Sequence, residues 1–259
     1  MNFICSTIAI LLTLSPLAQA TEPPVLQVGM DLTYPPFETI GPDGKPVGVS
    51  VDLASALATD LGRPLEIQNI PFIGLIPALK SGKIDLIISS MTATPERARQ
   101  VAFSQPYLST GLGALLPAAS TAQNLADLDQ ADHTIVVRQG TTGEVFARKR
   151  LSQARILTLE KTSACVIEVI QGKASAFIYD QMSVFQNAQR NPKKTRALLA
   201  PLQSEFWAIA LRPENKKLLG EVNDFLLKFR AEGGFEKLAD QYLAEEKEAF
   251  AQQGIPFFF

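Results

Sequence analysis

The sequence predicts an α/β fold built as two lobes, and three observations carry that prediction. From residue 25 onward, short apolar runs alternate with segments of helical spacing, the mark of strand-helix-strand units and a largely parallel sheet. The alternation forms two separate sets. Two segments without helical period, 107–117 and 198–210, contain β-forming residues and are suited to carry the chain from one unit to the other. Two crossings imply two lobes.

Residues 1–20 carry no charged side chain, run apolar from Ile8 to Leu14, and end in Ala18-Gln19-Ala20 before Thr21-Glu22. This is the pattern of a cleaved export signal, too short to span a bilayer as an anchor. A strand is expected over 25–30. Pro35 and Pro36 force a loop over 31–37, and Gly41-Pro42-Asp43-Gly44 is a turn. Leu53, Ala54, Leu57, Ala58 and Leu61 share one helical face closed by Gly62. A strand over 65–70, a helix starting over 75–79 and ending near Gly82, and a buried strand over 84–88 complete the first set.

The second set is strand 134–137, helix 144–151, strand 156–159, helix 163–171, strand 176–179 and helix 181–189. Leu218, Leu219, Val222, Phe225, Leu226 and Phe229 then line one face of a helix stopped by Gly233-Gly234, and Phe235, Leu238, Ala239 and Tyr242 repeat the pattern. The apolar tail 255–259 is expected to dock on a lobe. Lobe 1 is placed at 24–110 and 207–259, lobe 2 at 111–206.

The 259 residues are 46% hydrophobic and 19% charged, which excludes a disordered chain. With 24 basic and 26 acidic residues evenly spread, there is no nucleic-acid footprint. Cys5 leaves with the signal, so Cys165 has no internal disulfide partner and reads as a small buried hydrophobe beside Val169. The lone His133 falls in a loop. No metal-ligand spacing, Gly-rich phosphate loop or Ser/His/Asp order is present, so no metal, cofactor or catalytic residue is expected.

Chemistry concentrates where strands end. Ser90, Thr92 and Thr94 precede Pro95 and Arg97; Thr94-Pro95 is a helix N-cap followed by a first-turn proline, and the segment offers hydroxyls and a guanidinium to a carboxylate. The alternative is an ordinary cap with Arg97 paired at the surface. Gly140-Thr141-Thr142-Gly143 offers backbone N–H groups and hydroxyls at a second strand-to-helix turn. Asp180 either caps the following helix or meets an ammonium group. Asp31 and Tyr34 sit on the loop after the first strand, and Phe72 on another.

The ordered set Asp31-x-x-Tyr34-x-Pro36-Phe37-Glu38, Val47-Gly48-x-x-Val51-Asp52-Leu53, Leu75-Ile76-Pro77-Ala78-Leu79-x-x-Gly82-Lys83-x-Asp85, Met91-Thr92-x-Thr94-x-Glu96-Arg97, Phe103-Ser104-x-Pro106-Tyr107, Gly140-Thr141-Thr142-Gly143, Gly172-Lys173-x-x-Ala176-Phe177-x-x-Asp180 and Gly233-Gly234-Phe235 resembles the polar amino acid class of extracellular solute-binding proteins, which serve bacterial ABC importers. The resemblance spans nearly all of 24–245.

It implies a two-lobed, type II clamshell that closes on a free amino acid, each lobe a mostly parallel sheet flanked by helices. It also implies an exported, periplasmic and monomeric protein with a membrane permease as partner. By position, Arg97 would grip the α-carboxylate with Ser90, Thr92 and Thr142, and Asp180 would take the α-ammonium. Tyr34 and Phe72 would pack on the ligand side chain, with Asp31 near its amino group or side chain. The implied ligand set is Asp31, Tyr34, Phe72, Ser90, Met91, Thr92, Arg97, Arg138, Thr141, Thr142 and Asp180.

Where the family has Phe-Asp after the glycine, this chain has Val49-Ser50, which disfavours a basic ligand. Arg138 either favours an amide or acidic side chain or is a solvated strand-end charge. A polar uncharged or acidic amino acid is therefore expected over a basic one. Two further classes are weighed. Cyclohexadienyl or arogenate dehydratases share the scaffold and would need a buried general acid, for which Glu38, Glu144 and Glu205 are candidates. A sensory module would require a membrane span.

Overall fold

The computed structural model describes residues 23–252 and 254; the export-signal expectation for 1–20 and the docking expectation for 255–259 lie outside the described residues. Two five-stranded sheets carry the architecture. The first has the order Leu65–Asn69, Leu26–Met30, Leu86–Ile87, Ala210–Leu211, Ala102–Phe103. Its first three strands are parallel and the last two antiparallel to their neighbours. Leu26, Val28 and Met30 are fully buried on one face, and on the other a side chain at Gly29 would collide with Ile84 Cδ1 at 2.4 Å. Burial on both faces accounts for the apolar run that marked this strand.

The second sheet has the order Arg155–Leu159, Thr134–Arg138, Ala176–Asp180, Leu108–Pro117, Thr195–Trp207. Again three strands are parallel and two antiparallel. Both sheets are thus mixed. The two segments expected as crossings prove to be long strands paired with each other, from Thr195 opposite Pro117 to Trp207 opposite Leu108, with a register shift between Leu198 and Gln203. The first lacks an alternating pattern because residues 111–116 are buried on both faces. At the far end of this ribbon Trp207 bridges Thr92, and the Ala93 N–H donates to the Phe206 carbonyl at 2.9 Å. The ribbon therefore joins the two sheets.

Helix Val49–Asp60 begins before its expected start, because Gly48 at φ 125° makes a turn that a side chain would block, 2.4 Å from the Pro36 carbonyl. This buries Ser50 in its first turn. Helices Lys216–Ala231 and Gly234–Tyr242 bury the apolar faces read from the sequence. Thr33–Tyr34, Glu38–Ile40 and Pro46–Val47 form a small third sheet in the stretch expected to be loop and turn. Helix Ala244–Gln252 was not foreseen. Its Phe250 meets Phe185 edge-on at 5.1 Å and its Glu246 accepts from Gln186 at 2.8 Å, so the C-terminal segment also touches Gln181–Arg190, a helix packed on the second sheet. No helix among the described residues is long and apolar enough to cross a membrane.

Candidate functional site

Parallel strands present their carboxyl ends along one edge of a sheet, where open α/β folds gather ligand-binding groups. Asp31 follows Leu26–Met30, Ser89 to Thr92 follow Leu86–Ile87, Thr141 and Thr142 follow Thr134–Arg138, and Asp180 ends Ala176–Asp180. These ends surround a cavity of about 40 Å³, lined by ten of the eleven sequence-predicted residues. Met91 is the exception. Its side chain is 1% exposed and packs with Ile87, Val101 and Ala210, turned into the core while Ser90 and Thr92 on either side line the cavity. A wider groove of about 430 Å³ adjoins the cavity and shares Thr92, Arg97, Thr142 and Glu205 with it.

Asp31 is buried and fully engaged. Its Oδ1 accepts from the Thr33 hydroxyl at 2.7 Å, and its Oδ2 accepts from the Phe72 N–H at 2.9 Å and from Arg138 Nη2. Arg138 is 5% exposed and donates also to the Tyr179 hydroxyl and the Glu160 carbonyl, each at 3.2 Å. It is thus neither a solvated charge nor a free receptor. Burial opposes its charge, but Tyr179 and Asp31 outweigh that and hold the guanidinium above its ordinary range. Full pairing is what makes a buried charge tolerable. The Phe72 ring lies under two cations, 5.4 Å from Arg97 and 5.8 Å from Arg138.

Thr94 caps helix Pro95–Ala98 as the Thr-Pro pair predicts, accepting from the Arg97 N–H at 3.2 Å. The Arg97 guanidinium donates to the Thr92 carbonyl at 2.7 Å and to the Gly140 carbonyl at 3.1 Å, spanning the two walls. Burial lowers its pKa, and the nearby Glu205 charge works against that. Glu205 accepts from the Thr92 hydroxyl at 2.9 Å and from Gln203 at 3.2 Å. Thr141 caps Thr142–Arg150 and donates to the Arg138 carbonyl at 2.7 Å, fixing the second wall.

Asp180 caps helix Gln181–Arg190 by accepting from the Ser183 N–H at 2.8 Å, and the same Oδ1 accepts from the Tyr34 hydroxyl at 2.5 Å. It is a cap and a cavity carboxyl at once. Burial pushes it up to about 6, against the pull of those two hydrogen bonds. Glu38 is 1% exposed; its Oε2 accepts from Ser50 at 2.6 Å and Ser90 at 3.0 Å, and its Oε1 from Ser89 at 3.2 Å. Burial pushes it up to about 8. Ser90 holds its hydroxyl there from a left-handed backbone, φ 48°, uncommon for a residue with a side chain.

Ser89, Tyr179 and Trp207 line the cavity without having been singled out for it, and Glu38 and Glu205 were weighed only as acids for catalysis. The signal was available for Ser89 and Tyr179, which adjoin Ser90 and Asp180 at strand ends. Glu144, the third acid weighed, lies outside the cavity lining and is engaged by the Gly140 N–H at 2.8 Å and by Arg148.

The sequence matches the family model for bacterial extracellular solute-binding proteins, family 3, over residues 26–245. ABC transporter arginine-binding protein 1 of Escherichia coli (strain K12) is 30% identical over 224 residues, 85% of this chain and 91% of that protein. A mutant of ArgBP from T. maritima shares the fold with a TM-score of 0.79 at 33% identity, covering 85% of this chain and 95% of its own. The ancestral amino acid-binding protein AncCDT-1, a precursor of cyclohexadienyl dehydratase, gives 0.79 at 33% identity over 84% and 95%. The named relatives are binding proteins, and the two-lobed α/β architecture is shared with them. With the family model matched along both sheets, the chain belongs to the bacterial extracellular solute-binding proteins of family 3.

Proposed function

We propose that this chain binds a free L-α-amino acid between its two sheets and delivers it, in the periplasm, to the membrane permease of an ABC importer. One observation carries the reading: a guanidinium, Arg97, and a carboxyl, Asp180, stand on opposite walls of one cavity. An amino acid presents a charge of each sign on a single carbon, and its burial is tolerable only when both meet opposite charges. In this reading Arg97, with Ser90, Thr92 and Thr142, takes the α-carboxylate. Asp180 takes the α-ammonium, and Tyr34 and Phe72 pack on the side chain.

The expected preference for an acidic side chain loses its footing, because Arg138 is already engaged by Asp31. Glu38 and Glu205 meanwhile add acids to the wall. We infer a ligand side chain that donates hydrogen bonds, amide or basic, and the arginine-binding relatives support the basic member.

The test is thermal unfolding of the purified protein, refolded to strip carried ligand, against L- and D-amino acids, α-keto acids, arogenate and prephenate. At ~1 mM ligand and a Kd of order 1 μM, linkage adds about 4 kcal/mol, a Tm rise of roughly 8 to 16 °C. Shifts with amide or basic L-amino acids are expected; no shift with any amino acid overturns the reading. The dehydratase alternative draws on Glu38, a buried acid protonated near neutrality. Consumption of prephenate or arogenate without an amino-acid shift would establish it.

A further inference from the structure

Glu38 is a buried acid that the amino-acid frame of Arg97 and Asp180 leaves unused. Hydroxyls ring its carboxyl from two elements: Ser50 from the first turn of helix Val49–Asp60, and Ser89 and Ser90 from the end of strand Leu86–Ile87. The titratable groups facing it are Asp31, Tyr34 and Tyr107. On helix Val49–Asp60 the next acid, Asp52, is engaged by the Tyr242 hydroxyl at 2.8 Å. No Lys, Arg or His among the described residues forms an ion pair with Glu38. The two arginines of the cavity are directed elsewhere, Arg97 to the Thr92 and Gly140 carbonyls and Arg138 to Asp31. An ionised carboxylate here would be a buried charge without a counter-charge, so the group keeps its proton until a cation reaches it.

We propose that Glu38 determines side-chain specificity by exchanging its proton for the cationic side chain of the ligand. The inference rests on the amino-acid reading above. When a basic amino acid binds, the Glu38 O–H bond breaks, the proton passes to solvent, and the carboxylate left behind pairs with the ligand cation. An amide side chain instead shares a hydrogen bond with the protonated carboxyl and displaces no proton. Ser50 acquires a physical reason: at 2.6 Å it donates to Glu38, whereas the Asp of the related pattern would set a second acid against it.

Titration calorimetry on the full protein with L-arginine and with L-glutamine, at pH 7.0 and 8.5 and in two buffers of different ionisation enthalpy, counts the protons. Asp180 and the α-ammonium group are common to both ligands, so the difference between them isolates Glu38. With Glu38 at about 8, arginine should release about one proton more than glutamine, and its affinity relative to glutamine should rise by more than about tenfold between pH 7.0 and 8.5, because arginine takes the ionised carboxylate and glutamine the protonated carboxyl. Glu38→Gln should remove the extra proton and lower arginine affinity at least tenfold more than glutamine affinity. Equal proton counts, an unchanged arginine preference in Glu38→Gln, or binding of glutamine without arginine overturns the proposal. Should that variant not fold, the wild-type proton count decides by itself. Absence of binding by both ligands overturns this inference; the amino-acid reading falls with it only when no amino acid shifts the unfolding of the protein, an outcome distinct from binding without proton release.

Discussion

Asp31 and Glu38 flank one short loop, both are buried, and they stand in opposite surroundings. Asp31 receives a guanidinium, a hydroxyl and a backbone N–H from the protein itself. Glu38 receives serine hydroxyls and no cation. The contrast teaches that residue type and position do not settle the role of an acid at a strand end. What settles it is whether the fold already supplies the counter-charge. Asp31 has one and fastens Arg138 and the Phe72 turn; Glu38 has none.

The largest effect should come from taking the partner from Asp31. Arg138→Met leaves a buried carboxylate uncompensated and is expected to cost about 3–5 kcal/mol of stability, a fall of roughly 6 to 20 °C in calorimetric Tm. A loss below about 1 kcal/mol would show that Asp31 does not depend on its arginine and would break the comparison. Next, Arg97→Ala should raise the amino-acid Kd by about a hundredfold or more with little change in Tm, because its guanidinium bonds only to carbonyls. Unchanged affinity would remove Arg97 from the carboxylate role. Asp180→Asn should weaken amino acids by a comparable factor and α-keto acids far less; equal losses for the two classes would take away its ammonium role.

A pH dependence sharpens the contrast further. Glu38 is raised from 4.5 to about 8 in the folded protein, so between those values the folded state holds a proton that the unfolded state releases. Its contribution is fully present below about pH 4.5 and is lost as pH rises to about 8, with a slope of up to about 1.4 kcal/mol per pH unit. Asp180, raised from 3.8 to about 6, adds a slope of the same sign at lower pH. Subtracting the stability curve of Glu38→Gln from that of wild type should expose the slope between pH 6 and 8. A flat difference would place a counter-charge for Glu38 inside the fold. The smallest expected effect is that of Ser50→Ala, about 1 kcal/mol for the lost 2.6 Å donor.

What the sequence made legible was local. Thr94-Pro95 announced a cap that forms as expected, and the strand ends before Asp31, Ser90, Thr142 and Asp180 identified one edge of each sheet. The pairings across that edge were not legible. Asp31 meets Arg138 across 107 positions and Tyr34 meets Asp180 across 146, and only the way the two sheets face each other brings them together. Ser50 read as the loss of a charge, whereas its meaning lies in the Glu38 carboxyl above it. Met91 sat between two cavity hydroxyls in sequence yet points into the core, a matter of backbone direction that spacing does not encode. The two segments expected to cross between the units do join the sheets, but their pairing with each other was not legible, and along 111–116 burial on both faces erases the alternation by which strands are recognised.

Trp207 closes the joining ribbon, 2% exposed, with its ring 4.9 Å from Phe37 and 6.0 Å from Tyr34 in edge contacts, and it lines the cavity. It is also the chain's single tryptophan. The protein therefore carries its own optical probe at the junction of its two sheets. Any rearrangement of the ribbon against Phe37 and Tyr34, or any change in the polarity of the cavity, alters the emission of one indole, with no second tryptophan to dilute the signal and no label to attach.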